Sequence, residues 1–203
     1  MIETELTSKD KKRIEASIRG KYAKVAGSPE GLFKYPTGRS GLETLKYDLK
    51  ILQALPEAVA ASYCGVGNPF TLGPINPGEA VLDIGCGAGV DTIVAATLVG
   101  PTGTVTGIDM VPEMLAQAKE NVRIMDLKNV TFTEASAEKL PLPDASFDVV
   151  ISNGVFNLIP DKSGALAESF RVLKPKGRLM LADQILVGEL REDKKARIKS
   201  WFR

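Results

Sequence analysis

Asp83, Gly85, Gly87, Gly89 and Asp109 are the residues whose types and spacing bear most directly on chemistry. The first four lie in Val81-Leu82-Asp83-Ile84-Gly85-Cys86-Gly87-Ala88-Gly89-Val90-Asp91, which reads as a buried strand running into a glycine turn and then a helix. Glycines in such a turn permit positive φ and let a ligand approach the backbone. The spacing is G-x-G-x-G: a dinucleotide fingerprint would put its third glycine at position 90, where this chain has Val90, and no Lys-Ser/Thr pair follows to make a P-loop. A helix N-terminus behind Gly89 favours a negative group by about 0.3–1 kcal/mol, and an amino-acid carboxylate satisfies it as well as a phosphate does. Asp83 just before the turn would repel a pyrophosphate but attract an ammonium or sulfonium group. Asp109, twenty positions after Gly89, closes the next apolar run, where an acid can accept both hydroxyls of a ribose. Its plainer role would be a helix cap ahead of Pro112. Together these features describe a site for adenosine joined to an amino acid.

The elements that position these residues are legible as alternating short apolar runs and helical stretches. Candidate strands are Ala80 to Ile84, Thr104 to Ile108, Val130 to Thr133, Phe147 to Ser152 and Arg178 to Ala182. Helical stretches intervene at Val90 to Leu98, Glu113 to Met125 and Lys162 to Leu173. This alternation predicts an α/β fold, a doubly wound, mainly parallel sheet covered on both faces, with ligands at the carboxyl ends of the strands. Ahead of it, residues 1–76 read as an N-terminal helical extension with covering loops. An amphipathic helix runs from about Lys9 to Ala26, Gly31 to Gly41 is a loop, Leu45 to Leu55 is a second helix stopped by Pro56, and a third starts near Glu57. Residues 77–203 form the ligand-binding domain.

Composition narrows the classes of function. The 203 residues are 44% hydrophobic, enough for one full core, and 26 basic residues balance 25 acidic ones, so no polyanion-binding surface is indicated and nucleic acid is not an expected partner. The polar Met1 to Lys12 segment lacks the apolar centre of a signal peptide, and no apolar run approaches the ~20 residues of a membrane span. With two cysteines, Cys64 and Cys86, no disulfide framework or four-cysteine metal site forms within the chain, and a cytoplasmic setting is expected. The chain has no histidine, so any mechanism runs without imidazole, and no metal is expected.

Through most of residues 78 to 183 the chain resembles the class I S-adenosylmethionine-dependent methyltransferases. Val81 to Gly89 is similar to their first motif, and Val105-Thr106-Gly107-Ile108-Asp109-Met110 with Pro112-Glu113-Met114-Leu115 to the second. Ser136-Ala137-Glu138-Lys139-Leu140-Pro141 is similar to the adenine-binding turn, and Arg171-Val172-Leu173-Lys174-Pro175-Lys176-Gly177 to the turn before the fifth strand. The resemblance implies that Asp83, Gly85 and Gly87 meet the methionine part, with Cys86 and Gly89 in the same turn, Asp109 the ribose and Met110 one adenine face. Ser136 stands where the family usually has an acid that accepts from the adenine amino group; a hydroxyl can also accept, and the Ala137 N–H could donate to the ring. Tyr22 either closes over the cofactor or packs a helix face.

Gly67-Asn68-Pro69 and Ser152-Asn153-Gly154-Val155-Phe156-Asn157-Leu158 bring the chain nearest to the arsenite methyltransferase group. The resemblance fails at that group's arsenic-binding cysteines: Gly154 follows Asn153, Leu32 to Thr37 has none, and the C-terminal one is beyond this chain. Cys64 is read as structural.

The expected activity is therefore methyl transfer from S-adenosylmethionine, leaving S-adenosylhomocysteine, to a small-molecule acceptor. Asn153 could orient either ligand, and no base is assigned because an in-line displacement from a sulfonium needs mainly alignment and exclusion of water. A binding module without catalysis is the alternative, and a nicotinamide-dependent oxidoreductase is disfavoured by Val90 and Asp83. The family's final strands are expected to be missing, with Trp201-Phe202-Arg203 a truncation point after a helix bearing Lys194, Arg197 and Trp201.

Overall fold

The computed structural model describes residues 6–185 and 187. The expected C-terminal helix and the proposed truncation point lie outside the described residues.

The first helix, α1 (Ser8–Val25), starts at Thr7, whose hydroxyl accepts from Asp10 N at 3.2 Å while the Asp10 carboxylate accepts from Thr7 N at 3.0 Å. Reciprocal caps of this kind satisfy two donors that a helix start leaves unpaired. Ile14 and Ile18 form the buried stripe. The next stretch departs from expectation. The loop expected through Gly41 is already helical at α2 (Gly38–Thr44), and the single helix expected over Leu45 to Leu55 is broken, with α3 spanning Leu49–Ala54. Two local features mark the break: Lys46 takes a left-handed turn at φ 56°, and Asp48 caps α3 by accepting from Lys50 N at 2.8 Å. Then come α4 (Glu57–Ala60) and a 3-10 turn at Pro69–Leu72.

From residue 80 the expected alternation appears: β1 (Ala80–Ile84), α5 (Val90–Val99), β2 (Thr104–Asp109), α6 (Pro112–Ile124), β3 (Val130–Glu134), β4 (Phe147–Asn153), α7 (Lys162–Val172) and β5 (Leu173–Ala182). Among the described residues the sheet has five strands, ordered β3-β2-β1-β4-β5, and every pairing is parallel. The fifth strand starts earlier than expected. Leu173 already pairs with Phe147, the Lys174 to Gly177 turn bulges out with Lys176 at φ 68°, and the ladder resumes at Val149 with Arg178.

Alternate residues of the strands feed cores on opposite faces. Leu82, Ile84, Ile108 and Val150 pack with Ala165 and Val172 of α7, whereas Val81, Val105, Val149 and Ile151 pack with Ala95, Ala96 and Val99 of α5. Burial on both faces explains why the strands read as near-continuous apolar runs. A third core joins the N-terminal helices to the sheet domain: Leu42, Tyr47, Leu52 and Val59 are packed with Val90, Ile93 and Val94 of α5. No helix among the described residues is long and apolar enough to cross a membrane.

The chain leaves β1 toward β2 on one side, and β4 sits on the other, so the order reverses between β1 and β4. Such a switch point opens a crevice at the carboxyl ends of the strands. Ile84, Asp109 and Asn153 end the strands that border it.

Candidate cofactor site

The glycine turn is fixed by its own backbone. Cys86 N donates to Ile108 O at 2.9 Å, Gly89 N to Cys86 O at 2.8 Å, and Gly87 N to the Asp109 Oδ2 at 2.9 Å. Gly85 sits at φ 70°, and a Cβ there would lie 2.3 Å from Val155 Cγ2, so both conformation and space require glycine. Gly87, at φ 53°, has only Met114 Cε at 3.9 Å and lines the open cavity. Gly89 does not line the cavity: it caps α5 from behind, and a Cβ there would come within 3.0 Å of the Ala118 Cβ. The turn is further tied down by Asn121, fully buried, whose Nδ2 donates to Ala88 O at 2.8 Å and to Ser62 Oγ at 2.9 Å. Asn121→Ala is expected to lower stability by about 1–3 kcal/mol, because the Ala88 carbonyl loses this donor in a buried place; urea unfolding monitored by circular dichroism checks this.

Three acids meet beneath the cavity. Asp83 is 2% exposed and accepts from Thr92 Oγ1 at 2.6 Å; burial, reinforced by the neighbouring Asp91 charge, pushes its carboxyl up to about 8. Asp91 is likewise pushed up by burial, to about 6, with hydrogen bonds from Tyr47 OH at 2.7 Å and Asn153 Nδ2 at 2.9 Å pulling the other way. Asp109 is raised by burial against the opposing effect of its backbone donors, Val111 N on Oδ1 at 2.9 Å and Gly87 N on Oδ2. Glu15 and Glu138 also line the cavity, and no lysine or arginine is among its described lining residues. A ligand that brings a sulfonium and an ammonium supplies the positive charge these carboxylates lack, and the open Gly87 position gives it room against the backbone.

The structure gathers ten of the expected site residues around one cavity: Tyr22, Asp83, Gly85, Cys86, Gly87, Asp109, Met110, Ser136, Ala137 and Asn153 all line it. Their surroundings differ from those expected in two cases. Asn153 is engaged by protein on every side: its Oδ1 accepts from Val66 N at 2.9 Å and Gly67 N at 3.0 Å, and its Nδ2 reaches Asp91 and Gly67 O. Its amide therefore orients the loop at Gly65–Gly67. The Ser136 hydroxyl accepts from Glu138 N at 3.2 Å, a turn contact. Tyr22 has its ring centroid 6.4 Å from that of Phe33, which in turn stands 5.0 Å from Tyr35. Cys64 lines the cavity too, and burial pushes its thiol up to about 12.

Sequence reasoning missed Asp91, Tyr47, Tyr63, Glu15 and Glu138. For Asp91 a signal existed, since it is the one charged residue within the Val90–Val99 helix. Tyr47 and Tyr63 carried none: their hydroxyls, 3.1 Å apart, meet at Gly67 O only once distant segments have come together.

A parallel sheet with a glycine turn at its switch point and acids closing the first two strands defines a nucleoside-binding α/β domain. The chain belongs to the class I S-adenosylmethionine-dependent methyltransferases: residues 75–203 match the family described as Methyltransferase domain, and the cofactor of the fold is S-adenosylmethionine. An arsenite methyltransferase from Halobacterium salinarum is 36% identical over 205 residues, covering 94% of this chain and 52% of the relative. A demethylmenaquinone methyltransferase from Listeria welshimeri is 43% identical over 110 residues, 54% of this chain and 46% of the relative. Among solved structures, CrArsM, an arsenic(III) S-adenosylmethionine methyltransferase from Chlamydomonas reinhardtii, superimposes with a TM-score of 0.56 at 36% identity, over 73% of this chain and 50% of the other. The chain spans about half the length of the first curated relatives it matches.

Proposed function

We propose that the protein transfers the methyl group of S-adenosylmethionine to a small-molecule acceptor in the cytoplasm, and that this chain supplies the cofactor site. The observation that carries the reading is the convergence of Asp83, the Gly85–Gly87 turn and Asp109 on one cavity at the switch point of the sheet. In this assignment Asp83, Gly85 and Gly87 hold the methionine part, Cys86 shapes the turn, Gly89 aims the start of α5, and Asp109 holds the ribose. Met110 covers an adenine face, with Ser136 and Ala137 at the adenine edge. The bound cofactor supplies a methyl group already activated on a sulfonium. The protein aligns and keeps water out: Ile18 and Tyr22 of α1 wall the cavity opposite the strand ends, and the Asn153 amide fixes the Gly65–Gly67 loop.

The acceptor is not arsenite held by three thiolates of this chain. Its two cysteines are too few, and burial raises both thiols, Cys86 well above the ordinary value and Cys64 to about 12, so neither is a ready thiolate. A second reading is cofactor binding without turnover.

Calorimetric titration with S-adenosylmethionine and S-adenosylhomocysteine tests the common ground of both readings. One saturable site for each ligand is expected; a folded chain that takes up neither rejects the assignment. Formation of S-adenosylhomocysteine in the presence of candidate acceptors then separates catalysis from binding alone.

A further inference from the structure

Three residues of α1 lie one above another at i, i+4 and i+8: Lys11, Glu15 and Arg19. The outer two are tethered. Lys11 Nζ is 3.6 Å from Asp161 Oδ2, and Arg19 Nη1 donates to Met110 O and approaches Glu134 Oε1 at 3.5 Å. Between those anchor points runs the turn after β3, Ser136 to Glu138, itself fastened to the Asp161 end by Glu138 Oε1 accepting from Asp161 N at 2.7 Å. The stripe therefore passes over that turn, and Glu15, midway along it, lines the same cavity as Met110, Ser136 and Ala137. Ile18, one turn on, packs on Met110 and Leu158 and so fixes the helix face.

Glu15 is half-buried and, unlike its neighbours on the stripe, has no hydrogen bond or ion pair with any described residue. A carboxylate turned into a cavity without a partner is an acceptor waiting for a donor. The turn below it has a matching deficit: Ser136 offers a hydroxyl already used by Glu138 N, and Glu138 has one carboxylate oxygen committed to Asp161 N.

We propose that Glu15 of α1 is a specificity-determining residue that accepts the hydrogen bond of the 6-amino group of the adenine, so that the N-terminal helix reads the base from above the Ser136–Glu138 turn. This inference rests on the cofactor reading above. It makes α1 part of the binding site and ties adenine recognition to the docking of that helix.

The test is calorimetric, on the full 203-residue chain, with two ligands: S-adenosylhomocysteine and its 6-deamino analogue, purine riboside replacing adenosine. The unsubstituted chain is expected to prefer the amino ligand by about tenfold or more, the worth of one hydrogen bond to a charged acceptor. In Glu15→Gln the preference narrows to about twofold to threefold, and in Glu15→Ala it disappears, while the deamino ligand binds all three proteins about equally. Thermal melting confirms that the variants fold. Glu15→Gln that keeps the full preference, or weakens both ligands equally, overturns the inference alone; so does a preference lost in Glu138→Gln and kept in Glu15→Gln. An unsubstituted chain that binds neither ligand overturns the cofactor reading and this inference with it.

Discussion

Asp109→Ala is expected to weaken S-adenosylhomocysteine binding by at least about a hundredfold and to lower the melting temperature of the free protein. Both effects follow from the double duty of this carboxylate. Each oxygen accepts one backbone N–H, Gly87 on one side and Val111 on the other, and each retains acceptor capacity for a ligand hydroxyl. Hydrogen bonds to charged groups contribute about 1.5–3 kcal/mol each, so two lost ribose contacts reach a hundredfold or more. Truncation also strips the Gly87 N–H of its partner, and a turn whose glycines sit at φ 70° and 53° loses the bond that holds its middle. Asp109→Asn keeps one carbonyl acceptor and is expected to fall between. Calorimetry and thermal melting, run on the same preparations, separate the ligand effect from the loss of stability; unchanged affinity in Asp109→Ala would remove the ribose assignment.

The second large effect is a pair of opposite pH dependences. Asp83 titrates at about 8 in the folded chain and Asp91 at about 6, whereas unfolded aspartates titrate near ~3.9. Between those values the folded state holds protons that the unfolded state has released. Stability of the free protein therefore falls as pH rises, by up to about 1.4 kcal/mol per pH unit for each such proton, from about pH 4 to 6 through both groups and from 6 to 8 through Asp83. Above pH 8 the contribution of the aspartates is spent, and the thiols of Cys64 and Cys86, both raised by burial, continue the fall where unfolded cysteines ionise. Glu79 and Glu168, held down to about 2 by hydrogen bonds from Arg178 and Arg171, act in the opposite sense and only in acid below this window. A cationic cofactor prefers the ionised acids, so binding expels a proton below pH 8 and affinity rises with pH up to that point. Asp83→Asn is expected to flatten the upper part of the stability curve, make the free protein more stable near pH 8, and abolish the gain in affinity. Melting curves across this range, with titrations in two buffers of different protonation enthalpy to count released protons, measure both slopes. A free protein that melts higher at pH 8 than at pH 5 would contradict the account.

Where the sequence was legible and where it was not divides by range of interaction. Strand cores such as Val81-Leu82 and Val149–Ile151 carry their own record, because burial on both faces demands apolar residues at successive positions. Asp83, the glycine turn and Asp109 are equally local, since a strand end followed by a tight turn puts neighbours in sequence side by side in space. The break at Lys46 was not legible: it depends on Asp48 competing for the start of α3, and that competition is settled by how Leu42 and Tyr47 pack on α5. The same limit hid the surroundings of Asn153. A strand-end amide reads as a ligand contact until Val66, Gly67 and Asp91 are seen to occupy its oxygen and nitrogen. Glu15 was hidden by its neighbours, because Lys11 to Arg13 made that helix face look merely solvated.

The junction of Tyr47, Tyr63, Gly67, Asp91 and Asn153 also sets an order of events as the chain folds. Its contacts join residues 44, 62, 86, 90 and 106 positions apart. Contacts of such separation form after the local helices, since each must first overcome the entropy of closing a long loop. On the ribosome, residues 38–76 emerge well before Asp91 and Asn153, the two groups that their tyrosine hydroxyls and loop amides must meet. Until then that segment is a set of short helices without a sheet to rest on. The side of the cavity bounded by Asp91 and Asn153 is accordingly completed only after β4 has been synthesised and inserted beside β1, so a nascent chain acquires its sheet nucleus before it acquires a place for a ligand.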